Sequence, residues 1–143
     1  MREIKFRALT EKTRFPDLKQ TIVYGTGIFE DGINTWLLSH DKTKCLADGF
    51  THSIIDKNTI GQFTELHDKN GKEIYEGDIL EYEDDHHVGQ KQTQVIWIEC
   101  TARFALQNLD MEKYGAAEFG MEGKHHIIIG NIYENPELLK EKP

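Results

Sequence analysis

Cysteine is scarce: Cys45 and Cys100 are the only two in 143 residues. They form no CxxC pair, so the close-spaced redox and zinc motifs built on that spacing are absent. Both read as reduced thiols, and Cys100, at the end of VIWIEC, reads as a core residue. Long apolar runs are missing too. None approaches the roughly 18 residues a bilayer-spanning helix needs. The opening MREIKFRALT spreads charges through itself and holds no apolar signal-peptide core, so a cytoplasmic protein is expected. Basic residues are outnumbered, 17 Lys and Arg against 25 Asp and Glu, for a net charge of −8. Nucleic-acid binding draws its affinity mainly from Lys and Arg, so direct binding to a phosphate backbone is disfavoured. The one short glycine cluster, Gly25-Thr26-Gly27, lacks the third glycine, the lysine and the following helix of a phosphate-binding loop.

What the sequence does contain is period-two alternation. In EIKFRAL, residues 3 to 9, Ile4, Phe6 and Ala8 alternate with Lys5 and Arg7, the pattern of a strand with one buried face. TIVYGTGIF and INTWLL flank Glu30-Asp31-Gly32, a good hairpin signal, while Gly25 and Gly27 suggest a bulge or a twisted edge. SHDKTKCLADGFTH, residues 39 to 52, reads as a loop or second hairpin around Asp48-Gly49. Asp68-Lys69-Asn70-Gly71-Lys72 then joins FTEL to EIY, and Glu76-Gly77-Asp78 forms a second corner before ILEYE. TQVIWIEC and ARFALQ form the most β-rich part. Reading straight through them puts Ile96, Ile98, Cys100, Ala102, Phe104 and Leu106 on one face, with Val95 and Trp97 on the other. A strand apolar on both faces belongs in the middle of a sheet.

Helix signals are few. DMEKYGAAEF, residues 110 to 119, is the best helical candidate, with Asp110 as cap and Gly115 weakening it. KHHIIIGNIY is an apolar strand broken at Gly130, and Asn135-Pro136-Glu137-Leu138 has the grammar of a short helical turn. The expectation is a mainly β chain of short strands with at most one or two short helices. An N-terminal β region, residues 1–58, precedes a barrel-like region, residues 59–143, the two forming one compact unit.

Several whole phrases go further than pattern. TIGQFTELHDKNGKEIYEGDILEY, residues 59 to 82, and IIIGNIYENPELL, residues 127 to 139, resemble the signatures of the YopX-like family of phage and prophage proteins, as does the opening MREIKFRAL. Together these cover about a third of the chain. Leu9 stands where a Trp is expected and Glu65 where a Gly is expected, which puts local packing or a turn in question. The resemblance implies an SH3-like β-barrel and a phage or prophage gene. It carries no established activity and no catalytic residues.

Residues 73 to 85, EIYEGDILEYEDD, hold seven carboxylates and no Lys or Arg. They read as a solvated face or, through Glu81, Glu83, Asp84 and Asp85, as a surface for a basic partner. Asp84-Asp85-His86-His87 has metal-ligating side chains, but neighbours on an extended strand point to opposite faces, so no metal and no cofactor are expected. Asp78 and Glu81 are the nearest thing to an acid–base pair, without any sign of a pocket. Trp36, Trp97, Tyr75, Tyr82 and Tyr133 are candidates for a base-stacking platform, and Arg2, Lys5 and Arg7 for a local basic patch. The expected function is a non-enzymatic module that binds a host or phage protein or self-associates. The alternatives are an acidic decoy for a host nucleic-acid-binding protein and a metal-dependent enzyme using His86 and His87.

Overall fold

The computed structural model describes residues 3–12, 19–39, 51–82, 92–109, 118–119 and 125–139. The chain is mainly β, as the alternation implies. It divides into two compact units, Met1–Phe63 and Thr64–Pro143.

The first unit holds β1 (Phe6–Leu9), β2 (Ile22–Gly25), β3 (Gly27–Glu30), β4 (Thr35–Ser39) and β5 (Thr51–Ile55), with the first residues of β6 (Gly61–His67). β1 lies between two antiparallel neighbours, with Arg7 opposite Tyr24 of β2 and Gly61 of β6. That position pairs both of its edges. Ala8 is buried as the alternation predicts, but so is Arg7, only 6% exposed, whereas Ile4 lies in solvent. The basic patch of Arg2, Lys5 and Arg7 therefore loses Arg7, and Arg2 lies outside the described residues.

The glycines of GTG do not bulge a strand. They mark where the chain leaves one sheet and enters the next, β3-β4-β5. Thr26 N donates to Leu38 O at 2.9 Å. A Cβ at Gly25 would sit 2.1 Å from the Leu38 carbonyl oxygen, so no larger residue fits there. β3 and β4 form the hairpin expected around Asp31-Gly32, with Glu30 opposite Thr35 and Gly32 at φ 91°. β5 returns antiparallel to β4; the Asp48-Gly49 turn lies outside the described residues. Ala8, Leu37 and Ile55 form the core, with Phe6, Val23, Ile28 and Ile60 packed on it.

The second unit carries the rest of β6, then β7 (Glu73–Tyr75), β8 (Asp78–Tyr82), β9 (Gln92–Ile98), β10 (Arg103–Asn108), β11 (Glu118–Phe119) and β12 (His126–Asn131). A sheet in the order β11-β10-β9-β8-β12 curls into a half-barrel. β9 is its central strand, the place its two apolar faces call for. Ile74, Leu80, Val95 and Leu106 form the core, with Leu66, Phe104 and Ile128 against it.

Here the straight reading of 95–106 fails. A 3-10 turn at Glu99–Thr101 and Ala102 at φ 48° fold the segment into a hairpin, Ile98 opposite Arg103. Even-numbered residues of β9 therefore face odd-numbered residues of β10. Val95 sits opposite Leu106 and Trp97 opposite Phe104, while Ile96 pairs with Ala105. Cys100, placed at the tip of this turn, is exposed rather than in the core.

The helix expected over 110–119 is not the whole story either. Glu118–Phe119 are a strand, with Phe119 opposite Leu106, and residues 110–117 lie outside the described residues. The turn at Asn135-Pro136 does form, as a 3-10 helix over Pro136–Leu139. Among the described residues no helix is long and apolar enough to cross a membrane.

Candidate functional site

The phrases that carry the family resemblance are built as structural corners. In DKNGK, Asp68 is 6% exposed. Its Oδ1 accepts from Asn70 N at 2.8 Å and Lys72 N at 2.9 Å, and its Oδ2 accepts from Ile128 N of β12 at 3.2 Å. Lys69 N adds a bond to His126 O at 2.9 Å. Gly71 supplies the positive φ, 80°, that closes the turn. One carboxylate thus fixes the loop and ties it to a strand 60 residues away in the chain.

EGD works the same way. Asp78 is 1% exposed, and its Oδ2 accepts from Tyr75 N at 2.8 Å. Gly77, at φ 83°, donates to Val95 O at 2.9 Å and accepts from Ile132 N at 3.0 Å. Asn131 organises the third phrase, its Oδ1 accepting from Tyr133 N and Glu134 N, both at 3.0 Å. Gly130 lets the Asn135 side chain approach closely; a Cβ there would stand 2.6 Å from Asn135 Oδ1, and that side chain would have to shift. These groups hold backbone N–H donors, the usual work of buried carboxylates and amides at tight turns. The acid–base pairing of Asp78 with Glu81 has no such geometry, because Asp78 is enclosed by its own turn.

Of the acidic partner surface, Glu81 is half-buried, in register with Gln92 of β9 and Ile127 of β12. Glu83, Asp84, Asp85, His86 and His87 lie outside the described residues. Among the described residues no group of three or more His, Cys, Asp or Glu is placed to hold a metal. The stacking platform loses Tyr75, which is 2% exposed and donates its hydroxyl to Glu73 Oε2 at 2.7 Å. Trp97 keeps an open face but rests edge-on against Phe104, ring centroids 4.9 Å apart.

The exposed chemistry concentrates elsewhere, on the β3–β4 hairpin. Asp31 Oδ1 accepts from Ile33 N at 2.9 Å and Asn34 N at 2.7 Å, and Oδ2 accepts from the Trp36 indole Nε1 at 2.8 Å. These donors hold the Asp31 carboxyl down at about 2, the backbone N–H groups of Asn34 and Ile33 contributing most. The turn they fix presents Ile33 at 90% exposure. Phe29, 42% exposed, lies opposite Trp36 with the rings nearly parallel, and His52 meets Trp36 edge-on at 5.5 Å. On the other side of Trp36, Ile54 of β5 continues the same face.

Beside the tip an open cleft of about 500 Å³ is lined by Glu30, Ile33 and Thr35 of the hairpin and by Glu11, Asp56 and Lys57. Sequence reading found Trp36 but took it as core or stacking residue, and it missed Ile33. The available signal was an isoleucine directly after Asp-Gly, where a hairpin tip normally turns polar.

A search of curated proteins finds no match. Among solved structures the chain is similar to the crystal structure of protein EF1440 from Enterococcus faecalis, at 24% identity and a TM-score of 0.44, covering 96% of this chain and 98% of that one. The family model described as YopX protein matches residues 5–140, and this chain belongs to that family.

Proposed function

We propose that this chain is a phage- or prophage-encoded, non-enzymatic β module that acts in the cytoplasm by binding a protein partner. The half-barrel sheet of its second unit serves in this reading as an SH3-like scaffold. One observation carries the proposal: a hairpin closed by Asp31 hydrogen bonds holds Phe29 and Ile33 in solvent while the polar groups of the family phrases are spent on turns. Soluble monomers scatter single apolar residues over their surfaces, but an exposed Phe29 stacked on Trp36, beside a hairpin tip that exposes Ile33, is a feature of interaction sites. Small β domains bind through such exposed edges and loops.

The test joins sedimentation velocity of the purified chain with affinity capture from nuclease-treated bacterial lysate. One specific protein, captured in stoichiometric amount, supports the reading; a concentration-dependent dimer makes the partner a second copy. A strict monomer that captures nothing above control sinks it.

A further inference from the structure

The β3-β4-β5 sheet presents one face on which Phe29, Trp36, Ile54 and His52 share a side, since Phe29 and Ile54 lie opposite Trp36 and His52 meets its ring. Asp31 closes one end of that face through its bond to the Trp36 indole. We propose that this face docks a polypeptide segment carrying an arginine or lysine between apolar residues, with the cation over the Phe29 and Trp36 rings and against the Asp31 carboxylate. The proposal rests on the reading of the chain as a protein-binding module and names the surface and the partner's chemistry.

Three features select that occupant. Aromatic faces attract cations, most strongly when a carboxylate stands beside them to complete the pair. Asp31 stays ionised down to a pH of about 2 and is already held in place by backbone donors, so it keeps its charge and needs no ordering on binding. Ile54 lies opposite Trp36 on the same face and Ile33 stands exposed at the hairpin tip, and both suit aliphatic side chains near the cation.

Other occupants fit less well. A nucleic acid would bring phosphates toward Asp31 on a chain of net charge −8. A second copy would set two Asp31 carboxylates and two such net charges against each other. Lys12 and Lys57 line the nearby cleft together with Glu11 and Asp56, so the preference for a cation belongs to the aromatic face and Asp31, not to the cleft.

The experiment selects binders to the whole protein from a ribosome-displayed random dodecapeptide library. The consensus peptide is then titrated while backbone amide shifts are followed. The expected result is a consensus with one Arg or Lys flanked by apolar residues and shifts confined to Phe29, Trp36, His52 and Ile54. Asp31→Asn keeps Oδ1 as an acceptor for the turn but removes the charge and the acceptor of the Trp36 indole, and should weaken binding about tenfold, as should Phe29→Ala. Ile33→Ser, at a residue 90% exposed, serves as the variant that leaves the fold intact, and should also weaken binding. A consensus without a cation, shifts mapping to the second unit, or undiminished binding by Asp31→Asn would each overturn the assignment while leaving a protein-binding module intact. Preferential binding of single-stranded DNA, or no peptide binder at all, overturns it as well; failure of lysate capture in addition would remove the module reading.

Discussion

Glu65 is the position where the family phrase leads one to expect glycine, and the backbone there has φ 69°. Left-handed backbone costs a residue with a Cβ roughly 1–2 kcal/mol, while glycine loses about 0.5–1 kcal/mol more than alanine in conformational entropy on folding. At an ordinary strand position glycine is therefore the worse residue. At Glu65 the difference reverses, and Glu65→Gly should be more stable than Glu65→Ala by about 0.5–1 kcal/mol. Comparing these two variants with each other cancels whatever the glutamate side chain contributes, because both remove it.

The strain is held there for a reason. Thr64 donates its hydroxyl to Ile74 O at 2.8 Å on one side, and Leu66 packs against the core on the other. The kink at Glu65 serves both neighbours. Differential scanning calorimetry, checked by urea denaturation, reads the difference as about 1–4 °C in Tm, given about 2–4 °C per kcal/mol for a chain of this length. An alanine variant more stable than the glycine variant would refute the argument and return Glu65 to an unstrained strand.

Asp68→Ala should be among the most destabilising single changes in the second unit, about 2–4 kcal/mol in urea denaturation, because Asn70, Lys72 and Ile128 N–H groups lose one shared acceptor; a loss under 1 kcal/mol would mean that water replaces it. Asp31 carries a pH signature. Its folded carboxyl lies at about 2 against an ordinary 3.8, so its contribution is fully present above about 4 and lost as pH falls through about 2. Trp36 emission should change across that window, and Asp31→Asn should abolish the change.

The sequence made the local turns legible. Asp31-Gly32, Asp68 to Lys72, Glu76 to Asp78 and Asn135-Pro136 each carry residues whose side chains or φ freedom dictate a turn within a few positions, and all four form. What escaped depends on partners far along the chain. Arg7 looks solvent-facing by alternation, yet it is buried as Ala8 is, and no local pattern says so. The turn at Glu99–Ala102 holds neither Gly, Asn nor Pro, so the strand read through it, and both Cys100 and the pairing of Leu106 were misplaced. Asp78 counted as one carboxylate of the acidic run 73–85, and Asp68 as a turn residue, although both are buried and accept from backbone N–H groups. The candidate interaction face escaped for the same reason. Phe29 and Trp36 come from different strands, and only the register sets them opposite each other.

The most direct measurement compares three proteins in one capture experiment from nuclease-treated bacterial lysate, quantified by mass spectrometry: the unaltered chain, the Phe29→Ala and Ile33→Ser double variant, and Glu81→Gln. An interaction module working through the β3–β4 hairpin predicts a partner retained by the unaltered chain and by Glu81→Gln, and lost from the double variant. Equal capture by all three, or loss that follows Glu81→Gln alone, would contradict it.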